Sequence, residues 1–210
     1  MPRDHRGLVQ LIAREVRDER VVDAFRRIDR AGFVPEDRRR EAYGNRPVLL
    51  PLDQTTSQPT LIATMVVAVA PQPDSKILEI GTGYGYQTAA LAVLAREVVS
   101  IERHEALAVA ARANLERAGL DNATVVVGDG WEGWEPKAPY DGIVVSAAAA
   151  SLPEALGEQL AEGGRLVIPV TTRGSDDVLL FEKHDGALQE IRLITPARFV
   201  PLVKGPDAPQ

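Results

Sequence analysis

Residues 79–87 read EIGTGYGYQ and follow the short apolar run KIL at 76–78. Three glycines at alternate positions, Gly81, Gly83 and Gly85, therefore stand where a strand runs out. Without a Cβ the backbone reaches φ/ψ values that other residues avoid, and a ligand can approach the main chain closely. A sharp turn alone would need the same freedom. The surrounding sequence decides between the two uses.

On both sides of this stretch the pattern alternates. LIATMVVAVA predicts a helix, KILEI a strand, QTAALAVLA a helix, EVVSIE a strand and HEALAVAARANLERAG a helix. TVVVGDG, DGIVVSA, PEALGEQLAEGG and RLVIPV continue as strand, strand, helix and strand. Val- and Ile-rich strands alternating with helices imply βαβ units. The expected fold is therefore α/β and doubly wound, a mainly parallel sheet with helices on both faces. The tail differs: DVLLFEKHDGALQEIRLI holds two apolar runs around His-Asp-Gly, which reads as a hairpin of antiparallel edge strands. At the start, LVQLIAREV and RVVDAFRRI carry apolar residues at helical spacing and predict two amphipathic helices. Between them and the alternating part lies 33–59, FVPEDRRREAYGNRPVLLPLDQTTSQP, which reads as a long irregular segment and so as a place for substrate contacts.

With 210 residues the chain suits one domain, expected to divide into substrate-side helices and loop at 1–58, a ligand-binding core at 59–175 and edge strands at 176–204. No apolar run approaches the roughly 20 residues that a membrane-spanning helix needs. A formal net charge of -6 speaks against nucleic acid, since the one basic cluster, Arg38 to Arg40, is short. His5, His104 and His184 are scattered and there is no cysteine, so no metal is expected. A charged start, MPRDHRG, without an apolar core behind it leads to the expectation of a cytoplasmic protein.

In doubly wound sheets ligands bind at the carboxyl ends of the strands. A dinucleotide fingerprint would need glycine at 86, where Tyr86 stands, and Glu79 would repel phosphate. Further acidic groups end the next two strands: Glu102 closes EVVSIE, where a carboxylate accepts from ribose hydroxyls, and Asp129 lies in GDG. Acidic strand ends around a glycine loop suit a nucleoside that carries a positive centre and no phosphates. S-adenosylmethionine fits that description, with Glu79 facing its amino acid portion, Glu102 the ribose and Asp129 the adenine.

From about Phe33 to Leu202 the chain resembles the protein-L-isoaspartate O-methyltransferase family, class I methyltransferases of Rossmann-like fold. The resemblance is carried by FVP at 33–35, AY at 42–43, QTTSQP at 54–59, LEIGTGYGYQTAALA at 78–92, SIE at 100–102, GDGWEGW at 128–134, APYDGIVVSAAA at 138–149, LPEALGEQLAEGGRLVIPV at 152–170 and FVPL at 199–202. It implies methyl transfer from S-adenosylmethionine to the α-carboxylate of L-isoaspartyl residues in damaged proteins and peptides. It further implies Ser57 as the active-site residue. The cofactor would be held by Glu79, Gly81, Thr82, Gly83, Gly85, Gln87, Glu102, Asp129 and Gly130, and the substrate by Ala42, Tyr43, Thr55, Thr56, Phe199, Val200 and Pro201. A monomer is expected. The chain departs from the family's pattern at LPLD (50–53), where a glycine-containing stretch is usual, and at Thr171, where glycine is common.

A carboxylate acceptor is already ionised at pH 7, so its methylation needs no general base, and positioning is the main source of rate. Ser57 is then an orienting donor, or alternatively one of several hydroxyls capping the helix that follows. Two rivals share parts of the pattern: a methyltransferase for a small molecule or an aspartyl peptide, and a non-catalytic binding module. The second would be expected to lose its acidic strand ends or fill its glycine loop, and this chain has done neither.

Overall fold

The computed structural model describes residues 2–172 and 175–205. It opens with α1 (His5–Glu15) and α2 (Glu19–Arg27), as the apolar spacing predicts. Asp4 accepts from the Gly7 amide, and Asp18 from those of Arg20 and Val21, so each helix start has a side-chain cap for its free N–H groups. Leu8, Ile12, Val22 and Phe25 turn inward to the main core.

Segment 33–59 is more ordered than its prolines suggest. Short 3-10 helices at Arg30–Phe33 and Glu36–Glu41 lead into a hairpin of β1 (Val48–Leu49) and β2 (Thr55–Thr56). The hairpin turn is the LPLD stretch. Leu50 N–H donates to the Gln54 carbonyl at 2.8 Å, and Leu52 and Asp53 adopt left-handed φ of 61° and 56°. That conformation costs an L-residue about 1–2 kcal/mol, and glycine far less. Leu52 is 38% exposed, so little packing depends on it. We therefore expect Leu52→Gly to raise the unfolding free energy by up to about 1 kcal/mol once glycine's extra unfolded-state entropy is deducted. Urea denaturation checks this; an unchanged or lower midpoint would mean that the turn is unstrained.

The remainder runs α3 (Pro59–Val69), β3 (Lys76–Ile80), α4 (Tyr86–Leu94), β4 (Glu97–Glu102), α5 (Glu105–Arg117), β5 (Ala123–Val127), β6 (Tyr140–Val145), α6 (Glu154–Gln159), β7 (Leu160–Thr171), β8 (Asp176–His184) and β9 (Ala187–Ala197). The seven-stranded sheet has the order β5-β4-β3-β6-β7-β8-β9. Its first five strands are parallel, and β8 and β9 add antiparallel. Side-chain alternation sends Ile77, Val98, Val144 and Val167 into the core under α1 to α5. Leu78, Val99, Ile143 and Leu166 go into a second core with Leu156 of α6. Both faces are thus buried, which is why the strands read as continuous apolar runs. From β3 the chain steps outward through β4 to β5, and β6 then returns to the other side of β3. This reversal opens a crevice at the carboxyl ends of β3 and β6.

Two expectations need correction. The helix expected over 153–164 ends at Gln159, because Leu160 already pairs with Tyr140 and the β6–β7 register then slips so that Gly142 faces Arg165. Gly163, at φ 73°, and Gly164, where a Cβ would lie 2.8 Å from the Ala161 carbonyl oxygen, form that irregularity rather than a helix end. FVPL, expected as a strand, is a strap. Ala148 N–H donates to the Val200 carbonyl at 2.8 Å, and Leu202 N–H donates to the Ala148 carbonyl at 2.7 Å. Pro201 between them has no N–H to extend the pairing. The tail hairpin forms as predicted, with Asp185 and Gly186 both at positive φ, as its two-residue turn requires. Among the described residues no helix is long and apolar enough to cross a membrane.

Candidate active site

At the end of β3 the backbone parts from its neighbours. Gly81 N–H donates to the Ile101 carbonyl and Ser146 N–H to the Ile80 carbonyl, both at 2.8 Å, and the glycine loop then turns away. Gly81 and Gly83 lie at φ 90° and 55° and line a cleft at the carboxyl ends of the strands. Gly85 lies outside the wall: it starts α4, and a Cβ there would meet Leu115 and Ala111 at 3.5 and 3.6 Å. It serves the packing of α4 on α5.

Glu102, at the end of β4, is 5% exposed and lines the cleft. Its Oε2 accepts from Gly83 N–H at 2.8 Å and its Oε1 from His104 N–H at 3.1 Å. Burial raises its pKa, and these backbone donors oppose the rise. The carboxylate therefore pins the loop while lining the cleft.

Glu79, expected to face the ligand's amino acid portion, is fully buried beneath the loop and outside the cleft wall. It accepts from Gln87 Nε2 at 3.0 Å, from Ser100 Oγ at 2.6 Å and from Thr88 Oγ1. Gln87 Nε2 also donates to Ser146 Oγ at 2.9 Å, and Ser100 Oγ shares a hydrogen bond with Thr82 Oγ1 at 2.5 Å, so Glu79 reaches the cleft through Gln87 and through Ser100 and Thr82. Burial pushes the Glu79 carboxyl up to about 7 against these hydrogen bonds. The folded protein therefore binds more protons than the unfolded chain between the ordinary carboxylate pKa and about 7, and this group's contribution to stability is lost as pH rises through that window. We expect the wild type to lose on the order of 1–3 kcal/mol more stability than Glu79→Gln between pH 5 and pH 8. Denaturant titrations at both pH values test it; parallel losses would show that Glu79 is ionised throughout.

Asp129, expected at the adenine, also lies outside the wall. Its Oδ1 accepts from Trp131 N–H at 2.8 Å and its Oδ2 from Gly205 N–H at 2.6 Å, so it ties the end of the strap to the end of β5. Trp131 Nε1 reinforces the tie by donating to the Leu202 carbonyl at 3.1 Å. Gly130 does line the cleft, and a Cβ there would come within 2.2 Å of Ile80 Cγ2.

Across the cleft stand Thr55, Thr56 and Ser57, together with Val200 and Pro201 of the strap. Ser57 does not cap α3. The N-cap is Gln58, and Asn45 Oδ1 satisfies the Thr60 N–H at 3.2 Å. Among the described residues the Ser57 hydroxyl makes no hydrogen bond. Ser57, Thr55, Ser146 and Val200 also line an adjoining open groove that runs along Thr195 to Phe199. Phe199 belongs to the groove alone, its N–H donating to Asp176 at 2.9 Å. Ala42 and Tyr43 border neither cavity: Ala42 is fully buried, and Tyr43 donates its hydroxyl to Asp29. Thr82 and Gln87 line the cleft as expected positions, whereas Tyr86, Ser146 and Leu202 were not foreseen. Ser146 follows β6 at the point where the strand order reverses, a signal that the sequence did offer.

The sequence pattern of the family described as Protein-L-isoaspartate(D-aspartate) O-methyltransferase matches residues 4–207. A protein-L-isoaspartate O-methyltransferase of Methylorubrum populi is 46% identical over 199 residues, 95% of this chain and 93% of the relative. One from Methanoculleus marisnigri is 47% identical over 194 residues, covering 92% and 88%. Among solved structures, a protein-L-isoaspartate O-methyltransferase superposes with a TM-score of 0.86 at 28% identity; the match covers 96% of this chain and 66% of that one. A Plasmodium falciparum protein solved in complex with S-adenosyl-L-homocysteine shares the fold, with a TM-score of 0.86 at 24% identity over 97% of this chain and all of that one. With cleft, groove and strap built as described, the chain belongs to the protein-L-isoaspartate(D-aspartate) O-methyltransferase family.

Proposed function

We infer that the chain transfers a methyl group from S-adenosylmethionine to the α-carboxylate of L-isoaspartyl residues in damaged proteins and peptides. The observation that carries this reading is Ser57, which lines both the cleft of the glycine loop and the adjoining groove and whose hydroxyl has no hydrogen-bond partner among the described residues. The cleft suits the cofactor: Glu102 offers a carboxylate for ribose hydroxyls, the glycine backbone allows close approach, and Gln87, held by Glu79, presents a fixed amide. When bound, S-adenosylmethionine supplies an electrophilic methyl carbon on a sulfonium. Glu102 and, above its raised pKa, Glu79 place negative charge around that cation. Ser57 donates to one oxygen of the acceptor carboxylate and so aims the other, while the strap and Ser146 limit where the acceptor can lie. Methoxide is a far better leaving group than the oxide of a carboxylate, so attack by the next backbone nitrogen on the ester carbonyl closes a succinimide with loss of methanol, and hydrolysis then returns some normal aspartate.

Hydrogen bonds to charged groups contribute about 1.5–3 kcal/mol, so Ser57→Ala should lower kcat on an isoaspartyl peptide by roughly 10- to 100-fold. Affinity for S-adenosyl-L-homocysteine and the melting temperature should stay near the wild-type values, because the Ser57 hydroxyl neither caps α3 nor makes a hydrogen bond among the described residues. Unchanged turnover would remove the assignment.

A further inference from the structure

Arg30 sits in the short 3-10 helix before the Phe-Val-Pro stretch and is 0% exposed. Arginine is seldom so buried without an acidic partner. Here no carboxylate pairs with it among the described residues, and its two Nη groups are spent on four main-chain oxygens while the buried Nε has no hydrogen-bond partner. Nη1 donates to the carbonyls of Ala42 and Gly44 at 3.0 and 3.1 Å, and Nη2 to those of Arg46 and Ser57 at 3.2 and 3.1 Å. The guanidinium carbon lies 5.6 Å from the centroid of the Tyr86 ring, which itself lines the cleft beside the glycine loop. One planar cation therefore joins three things distant in sequence: the segment that delivers Asn45 to α3, the carbonyl of Ser57, and the first residue of α4. Four carbonyls aimed at one point would repel each other without it, and a planar fork can hold them at fixed angles where a point charge cannot.

We propose that Arg30 is the positioning residue of the acceptor side, fixing Ser57 against the glycine loop so that its hydroxyl meets the acceptor carboxylate. Burial holds its guanidinium down to about 10, with the Tyr86 ring opposing that shift, so the cation is retained at neutral pH. The proposal rests on the reading of Ser57 as the acceptor's donor, and the test separates the two. Arg30→Lys and Arg30→Met are compared with the wild-type chain for kcat and KM on an isoaspartyl peptide and for S-adenosyl-L-homocysteine affinity, each with and without Ser57→Ala.

Expected are a fall in kcat of at least about tenfold in Arg30→Lys, a larger fall in Arg30→Met, and cofactor-product affinity within about threefold of wild type, because the fork geometry matters as well as the charge. Ser57→Ala should then cost less than about threefold in either Arg30 background, since contacting groups are non-additive. Native kcat in Arg30→Lys, or an undiminished Ser57→Ala effect there, overturns the proposal alone. Native kcat in Ser57→Ala by itself overturns the Ser57 reading and this proposal with it. Parallel loss of product affinity in both Arg30 variants assigns Arg30 to folding only and also overturns it.

Discussion

Gly83→Val is expected to bind S-adenosyl-L-homocysteine at least about 100-fold more weakly than the wild type, equivalent to roughly 2.7 kcal/mol. Three effects add in one direction. At φ 55° a β-branched side chain is strained, so the loop must move. A Cβ in the present geometry would stand 3.2 Å from Leu50 Cδ1, with two further methyls to place beside the cleft. Any shift also withdraws the Gly83 N–H from Glu102 Oε2 and frees the carboxylate that is assigned to the ribose. Glu102→Ala isolates that last contribution and should weaken binding by about tenfold, in line with lost hydrogen bonds to a charged group. Calorimetry with a melting curve for each variant decides. Undiminished affinity in a folded Gly83→Val protein would place the cofactor elsewhere.

The second large effect is discrimination by linkage. Paired peptides that differ only in an isoaspartyl or aspartyl link should differ in kcat/KM by at least about 100-fold, because a misplacement near 1 Å at the reacting atoms suffices for that loss. The isoaspartyl carboxylate emerges one methylene closer to the backbone, while the charge is the same. Varied neighbouring residues should matter much less, since a peptide held through its main chain along the Thr195 to Phe199 side of the groove is bound without reading its side chains. Equal rates on the two linkages, or activity confined to a small free acid, would sink the repair assignment and favour a small-molecule methyltransferase.

The centre of the sheet was legible because β3, β4 and β6 are buried on both faces. KILEI and EVVSIE coincide with β3 and β4 residue for residue, and Asp185-Gly186 announced its own turn. Helix α6 misled because PEALGEQLAEGG keeps helical composition past Gln159, while strand pairing with Tyr140 wins at Leu160. Site residues were legible where the backbone itself makes the site, as at Gly81 and Gly83. They were less so where one residue acts through another. Glu79 and Asp129 look alike as acidic strand ends, yet the hydrogen bonds of one go to Gln87, Thr88 and Ser100 and those of the other to the strap. Arg30 gave no signal at all: next to Asp29 and a run of charges it reads as a solvated cation, and only its four distant carbonyls reveal otherwise.

The strap has a consequence for how the enzyme comes into being. The chain is synthesised from its N-terminus, so the glycine loop with its carboxylates leaves the ribosome long before Val200 to Leu202 do. Those late residues wall both the cleft and the groove, through Val200, and they are pinned at Ala148, Trp131 and Asp129. Until the strap docks, the cleft and the groove each lack the wall that Val200 provides, so the site can be complete only after this late-made stretch is in place.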